Sequence, residues 1–539
     1  MNFKDQLEKE LKEQLKLDIL LEIPPNDKFG DLAIQSYKLK LSPQDLLKKI
    51  NLPKYIKKVE IKGPYINFFI DQKVLVKEIL KIKKIKNKKS KEKIMVEFSQ
   101  ANTHKAFHIG HIRGTSIGES ISRILEFQGK KVIRANYQGD TGMHVAKWIW
   151  CYKKYHPKEK LKKDEFWIAS IYVEAVKRLA KDEKNQEEVN RINKAIYEGK
   201  DKKLITLWKR TRKLSLDALE DIYKELNTKF DIYFFESEVE KKAKSISLNL
   251  LKKGIAQESE GAIIIDLKTY NLGVWVLLRK DGTVLYPSKD IALIEKKFKK
   301  YKINHSINVV GSEQKLHFQQ LAKTLELMNF KHNFTFIHFN LIRLPTGKMS
   351  SRTGDNILYS EFIKEMVSYS KYEIKKRFPV LKEKEIETRA KVISLAAIKY
   401  AILKQDTNKL ITFNKEEAFN FEGESGPYIL YSYARASAIL RKSKQYNKIS
   451  LYPPDDIELK LIKQLLNFQE TIKLAENKFS PNMIANYSLS IAQTFNEFYH
   501  VCQVLNTKEE SFRLQLIKSF RIVLKQSLFL LGIDVLEEM

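Results

Sequence analysis

The stretch from Ile94 to Tyr137 constrains the fold more than any other part of the chain. Ile94-Met95-Val96-Glu97-Phe98-Ser99 is short, apolar and partly β-branched, which predicts a strand. His108-Ile109-Gly110-His111 follows, and Ile117, Ile121 and Leu125 then recur at helical spacing. Gly129-Lys130-Lys131 ends that pattern, and Val132 to Tyr137 reads as a second strand. Strand, helix and strand within about 40 residues make a βαβ unit, which implies a parallel sheet.

The His108–His111 segment sits where the first strand gives way to the helix. The first N–H groups of a helix have no partner inside it and can hold a phosphate. Gly110 lets a nucleotide approach the backbone, and two imidazoles can donate to phosphate oxygens as charge develops. Ser99, Asn102 and Arg113 stand close by in sequence. Two other readings are open: histidines bonded only to their surroundings, or zinc ligands together with Asp140 or His144, although no recognised zinc spacing is present.

A second segment, Gly347-Lys348-Met349-Ser350-Ser351-Arg352-Thr353-Gly354-Asp355, predicts a mobile loop. Lys348 and Arg352 can neutralise a phosphate chain, and Ser350 and Ser351 add hydroxyl donors. Alone it reads as a basic surface turn. Paired with the early segment in one α/β region, it points to nucleotide chemistry.

With 539 residues the chain exceeds a single typical core. Residues 1–80 predict a small α/β domain: a helix over Phe3–Leu20, then short strands near Lys57–Glu60 and Tyr65–Ile70. Residues 81–93 form a basic linker. Residues 94–375 are the main α/β region. Charged helices over 160–230 form an insertion, Gly261–Asp266 and Val274–Leu278 form an antiparallel pair, Ile307–Gly311 is a buried strand, and a helix begins near His317. Residues 376–539 carry helical periodicity near 386–404, 428–445, 455–475, 481–504 and 509–530, which predicts an all-helical bundle.

Lys plus Arg is 98 against 66 for Asp plus Glu, a net charge of +32. That excess favours a polyanionic partner, although a bias toward Lys, Ile and Asn throughout explains part of it. Cys151 and Cys502 are the only cysteines, too few for a cysteine-rich metal site, and they fit a reducing cytoplasm. Met1 to Leu7 has no apolar signal core, and no apolar run approaches about 18 residues, so no membrane span is expected.

The two signatures resemble the HIGH-like and KMSKS-like segments of class I aminoacyl-tRNA synthetases. Further segments resemble the arginyl branch: Glu97–Asn102, Asn136–Gly142, Asp281–Tyr286 running into Asp290-Ile291-Ala292, Val309–Gln314 with His317-Phe318, Glu422–Tyr428 with Tyr431–Arg435, and Leu531-Gly532-Ile533. Phe29-Gly30-Asp31 and Gly63–Phe68 resemble that branch's extra N-terminal domain. The likeness covers most of the chain. One departure is the degenerate Tyr433-Ala434-Arg435, where the anticodon-binding bundle carries its Asp-Ala-Leu-Arg motif.

The resemblance implies a Rossmann-like catalytic domain, an N-terminal domain on the tRNA elbow and a helical anticodon-binding domain. It implies ligation of L-arginine to the terminal ribose of its tRNA through an arginyl-adenylate. ATP with magnesium enters as a substrate complex, with no tightly bound cofactor and no metal site, and the protein is a monomer. His108, Gly110, His111, Lys348, Met349 and Ser350 are assigned to ATP. The second lysine of the late signature is Ser351 here, and Lys105 is placed to compensate. Glu97, Asn102, Tyr286, Asp290 and Gln314 are assigned to arginine, with Tyr286 and Asp290 at i,i+4. Gly30, Asp31, Asn67, Tyr431 and Arg435 are assigned to tRNA. The competing functions are a synthetase for cysteine or glutamate, a non-catalytic tRNA-binding relative, and a general RNA-binding protein. The cysteinyl enzymes bind zinc through cysteines that this chain lacks, and a glutamate pocket calls for basic residues where Glu97 and Asp290 stand.

Overall fold

The computed structural model describes residues 2–82, 90–343, 358–443 and 451–539. The expected parallel sheet is present. Its strands are β1 (Lys93–Glu97), β2 (Lys131–Gln138), β3 (Ile232–Phe235), β4 (His305–Gly311) and β5 (Asn333–Phe339). They lie side by side in the order β5-β4-β1-β2-β3, every neighbouring pair parallel. The order reverses direction between β1 and β4, so a crevice opens beyond the carboxyl ends of those two strands. Glu97, the last residue of β1, pairs with Asn308 in β4.

Helix α1 (Ile109–Phe127) joins β1 to β2, α2 (Tyr286–Tyr301) precedes β4, and α3 (Lys315–Leu327) joins β4 to β5. The sheet buries both faces. Ile94 and Val96 of β1 enter the core that runs into the helical bundle, whereas Met95 between them enters the core beneath α2 and α3. Helix α1 differs from the one-sided helix that its apolar spacing suggests. It is buried almost all round, because helices of the bundle cover the side turned away from the sheet. Gly118 allows the close approach: a Cβ there would lie 2.1 Å from the Phe98 ring.

Between β2 and β3 the insertion forms helices Met143–Tyr155, Glu165–Lys181, Gln186–Glu198 and Lys202–Glu225 around their own apolar core. After β3, helix Glu236–Lys252 leads to an antiparallel ribbon that pairs Ala262–Asp266 with Val274–Leu278. The N-terminal domain is a four-stranded antiparallel sheet backed by helix Phe3–Leu15. That helix stops five residues short of the expected Leu20 because Lys16 takes a left-handed conformation at φ 55° and closes the last turn.

The C-terminal bundle contains helices Glu383–Leu403, Gly426–Lys442, Asp456–Leu466, Phe468–Lys478, Asn482–Val501 and Glu510–Leu530. The single helix expected over 455–475 is two, meeting at Asn467. The end of the last helix is closed from outside. Phe529, Leu530 and Gly532 offer their carbonyls to Arg123 Nη1 (2.9 Å) and Ser120 Oγ (2.8 Å) on α1 and to Lys399 Nζ (2.6 Å). Orphan carbonyls at a helix end need such donors. Among the described residues, no helix is long and apolar enough to cross a membrane.

Candidate functional site

The crevice at the strand-order reversal holds a cavity of about 370 Å³. Glu97, Asn102, Tyr286, Asp290 and Gln314, five residues from three separate stretches of sequence, all line it. Tyr286 opens α2 and Asp290 follows one turn later on the same face. Lys105 lines the cavity as well.

The wall is anionic. Besides Glu97 and Asp290 it includes Glu236, which sits at the carboxyl end of β3 as the first residue of the following helix. Burial raises the Glu236 carboxyl, and the nearby Lys289 ammonium at 2.9 Å opposes that rise. The Tyr137 phenol projects into this field. Burial pushes its ionisation well up, and the charges of Asp290, Glu236, Glu97 and Asp140 push it further. Its buried Oη has no hydrogen-bond partner among the described residues. Gly139 is small for a reason: a Cβ there would stand 2.4 Å from Asn102 Oδ1, which accepts the Gly139 N–H at 3.1 Å.

Glu97 is not a free charge. Its carboxylate is 2.8 Å from Lys297 Nζ, with both side chains almost wholly buried, and its other oxygen accepts from Asn308 Nδ2 at 2.8 Å. Asp290 is bound at 2.5 Å by His317 Nε2. The cavity therefore offers hydrogen-bonded carboxylates with fixed directions, which suits a planar cation with several N–H donors.

The loop from β1 to α1 carries strain. Ser99, Gln100 and His104 all have left-handed backbone angles, φ 74°, 50° and 63°. Such residues cost about 1–3 kcal/mol each and persist where their surroundings fix them. Ser99 Oγ is held by Tyr223 and Thr115. His104 is fully buried, with its backbone N–H on Ser215 and its ring nitrogens on Thr103 and Thr211.

His108 caps α1, and its backbone N–H donates to His111 Nδ1 at 3.2 Å. That acceptor role leaves the proton of a neutral His111 on Nε2. The two rings lie 3.9 Å apart. Burial, helped by the Lys105 charge, lowers His108 to about 4; burial lowers His111 well below its ordinary value, followed by the charges of His108 and Lys105. Both rings are thus neutral at pH 7, each with one N–H to offer. Lys105 links the imidazoles to the acid-lined cavity. Gly110 makes room first for the protein itself: a Cβ would meet the His108 ring at 3.0 Å.

Lys348, Met349, Ser350 and Ser351 lie outside the described residues. The chain on either side of 344–357 is fastened to α1. Fully buried Arg113 donates to the carbonyls of Asn340 (2.5 Å) and Lys409 (2.9 Å), and Leu358 bridges to His108 while Tyr359 N–H donates to Phe107 O at 2.9 Å. The described residues on both sides of that segment therefore lie beside the early signature.

Asp140 and His144, weighed above as zinc ligands, are engaged otherwise. Asp140 holds Arg212 and Ser237, and His144 contacts the Gly139 carbonyl. Among the described residues, the Cys151, His156 and Glu174 group has ligand-like spacing, but it shares no residue with the cavity, and Arg178 already binds Glu174.

Of the residues assigned to tRNA, three turn inward. Gly30 has φ 90°, and a Cβ would meet Phe68 O at 2.8 Å. Asp31 accepts the Ile70 N–H and pairs with Lys463 of the bundle at 2.8 Å. Asn67 is buried within its sheet. In the described residues they hold the N-terminal domain together and onto the bundle. Tyr431 and Arg435 stand differently. They line a cavity of about 590 Å³ in the bundle, where the Arg435 guanidinium lies 4.7 Å from the Tyr431 ring and 4.6 Å from the Tyr499 ring.

Sequence reasoning gave no role to Tyr137, Gly139, Glu236, Lys297, Asn308 or His317. Tyr137, Gly139 and His317 lie in segments that already stood out. Glu236, Lys297 and Asn308 carried no local signal, because only the sheet brings them together.

Comparison with known proteins follows the same lines. The family model for the catalytic domain of class I tRNA synthetases of the arginine type matches residues 72–414. The DALR anticodon binding domain matches 429–539, and the arginyl tRNA synthetase N terminal domain matches 1–70. The arginine–tRNA ligases of Clostridium acetobutylicum and Clostridium perfringens are each 34% identical, with 100% of both chains covered. The Thermus thermophilus arginyl-tRNA synthetase superposes with a TM-score of 0.88 at 25% identity, covering 100% of both chains. The Plasmodium falciparum enzyme shares the fold, with a TM-score of 0.82 at 22% identity, covering 100% of this chain and 99% of its own.

Proposed function

The chain belongs to the arginyl-tRNA synthetases, and from that membership we propose that the acid-lined cavity holds L-arginine while the imidazoles at the start of α1 hold ATP. The enzyme ligates L-arginine to the 3′-terminal ribose of its tRNA in two steps. The arginine carboxylate attacks the α-phosphorus of ATP, forming arginyl-adenylate and releasing pyrophosphate. A ribose hydroxyl of the tRNA then attacks the activated carbonyl, and AMP leaves. The first nucleophile is already ionised, so placement and charge stabilisation carry that step.

Tyr286 and Asp290 meet the guanidinium, with Glu236 beside them. Glu97, through the network it forms with Lys297 and Asn308, sets the floor of the site, and Asn102 and Gln314 hold the α-amino and carboxylate end. A bidentate carboxylate contact admits the planar fork of arginine and disfavours lysine, a single ammonium. His108 and His111 each offer one N–H to the phosphates, Gly110 keeps the first turn of α1 narrow, and Lys105 adds positive charge on the arginine side. Lys348, Met349 and Ser350 serve the pyrophosphate side, and magnesium enters with ATP. Tyr431 and Arg435 receive an anticodon base in the aromatic cavity of the bundle. On the N-terminal sheet, exposed Lys57 and Lys62 take the RNA-facing part in place of Gly30, Asp31 and Asn67. The protein works as a cytoplasmic monomer.

The observation that carries this reading is the convergence of the five arginine-assigned residues on one anionic cavity beside the early signature. The test is transfer of labelled arginine to total tRNA with ATP and magnesium, beside separate controls with each other labelled amino acid. Charging with arginine alone supports the reading. Charging with another amino acid overturns the cavity assignment, and tight tRNA binding without any charging favours a non-catalytic relative.

A further inference from the structure

Asp290 is held by a chain of groups from three elements. Trp275, on the ribbon strand Val274–Leu278, is almost fully buried and directs its indole N–H at His317 Nδ1, 3.4 Å away. His317, on α3, directs Nε2 at Asp290 Oδ2 on α2 at 2.5 Å. The indole and imidazole rings lie 5.4 Å apart at 56°, packed as well as bonded. An indole nitrogen only donates, so His317 Nδ1 must accept, and a neutral ring then carries its proton on Nε2, facing the carboxylate. A histidine protonated at both nitrogens would set N–H against N–H at the indole end. The frame behind the chain is fixed too: Ser288 Oγ in the first turn of α2 donates to Leu277 O on the ribbon strand at 2.8 Å.

We infer that Trp275 and His317 are positioning residues for amino-acid selection: the indole fixes the tautomer of His317, and His317 fixes the carboxylate of Asp290 in the orientation that meets a guanidinium. The inference rests on the reading that Asp290 binds the substrate's side chain. Its chemical logic is that a neutral donor occupies one carboxylate oxygen without cancelling the charge, so the other oxygen keeps its direction and its negative potential. A lysine or arginine at position 317 would orient Asp290 equally well but would neutralise it. Without any donor, the carboxylate is free to rotate between rotamers, and a rigid planar ligand loses more than a flexible one does.

The experiment uses the full chain, with aminoacylation measured at saturating tRNA while arginine and ATP are titrated separately. His317→Leu removes the donor, His317→Gln retains an amide N–H near the position of Nε2, Trp275→Phe removes the indole N–H while keeping an aromatic ring against His317, and Asp290→Asn tests the underlying reading. The expected result for His317→Leu is an arginine KM raised about tenfold, the scale of a lost hydrogen bond to a charged group, with the ATP KM and kcat within about twofold. His317→Gln recovers most of that loss. Trp275→Phe gives a smaller rise in the same constant, and it adds nothing further once His317 is Leu. An unchanged arginine KM in His317→Leu, with a raised one in Asp290→Asn, overturns the relay and leaves Asp290 as the ligand. Parallel losses in both KM values together with a lowered melting temperature reduce His317 to a packing residue and overturn the inference. An unchanged arginine KM in Asp290→Asn overturns the reading beneath it. Should His317→Leu not fold, Trp275→Phe alone decides, since phenylalanine fills most of the same space.

Discussion

Lys297→Met separates two roles that Glu97 could play. The pair is buried to 0% and 2% exposure at 2.8 Å, with Asn308 and Gln100 completing the carboxylate's contacts. Removing only the ammonium leaves an uncompensated buried carboxylate, which costs about 3–5 kcal/mol. Glu97→Gln costs about 1–3 kcal/mol: its amide oxygen still accepts from the ammonium, but its NH2 meets the donors Asn308 Nδ2 and Gln100 Nε2, which must turn. Glu97→Gln combined with Lys297→Met removes both charges at similar volume and recovers most of the summed loss, so the double-mutant cycle gives a coupling of about 3–5 kcal/mol. Function moves in the opposite sense for the two single changes. At an effective dielectric constant of about 20, a unit charge change acting across a separation on the order of 8 Å is worth about 2 kcal/mol. Lys297→Met leaves the cavity more negative and lowers the arginine KM of the folded fraction. Glu97→Gln leaves it more positive and raises that KM about thirtyfold. Urea unfolding of the four proteins and arginine titrations on the same preparations measure both. Single-variant costs that add within about 0.5 kcal/mol, or KM values that move the same way in both single variants, would refute the reasoning.

Three further outcomes follow from the geometry. Burial lowers His104 to about 3, His108 and His144 to about 4, and His111 well below 6.5, so the unfolded chain takes up these protons first as pH falls. Their contribution to stability is complete above pH 6.5 and declines below it, by about 1.4 kcal/mol per group one unit lower; the urea midpoint at pH 5.5 lies below that at 7.5, and His104→Asn narrows the gap. His111→Ala slows arginine activation by about 10²–10³, the scale of a lost transition-state donor, as read by single-turnover adenylate formation. Gly139→Ala places a methyl group against Asn102 and raises the arginine KM while the ATP KM stays within about twofold, as read by the same titrations used for Glu97.

Local pattern carried most of the fold. The antiparallel ribbon, the βαβ unit and the helices of the bundle all announce themselves through periodicity, and their observed ends lie within a few residues of the expected ones. Phe98 and Ser99 read as strand but leave it, since the left-handed angle at Ser99 arises from tertiary bonds to Tyr223 and Thr115 that composition does not record. The cavity was legible where chemistry is concentrated in short motifs. Lys297 looks like any lysine on a charged helix, and only the folded sheet, two hundred residues of chain apart, sets it against Glu97. Asp31 shows the same limit: its pairing with Lys463, which fastens the N-terminal domain to the bundle, links positions more than four hundred residues apart that no local pattern connects.

The closure of the last helix by Arg123, Ser120 and Lys399 has a consequence for synthesis on the ribosome. Arg123 precedes the Phe529 carbonyl that receives its guanidinium by 406 positions, and Ser120 precedes that of Leu530 by 410. Throughout that interval the growing polypeptide carries α1 without the covering turn of the last helix, and Arg123 has only its nearer acceptors Glu119 and Asn227. The helix that bears His108 and His111 reaches its final seat only when the closing turn of the bundle docks. The cover over α1 is thus among the last contacts the chain can make as it leaves the ribosome.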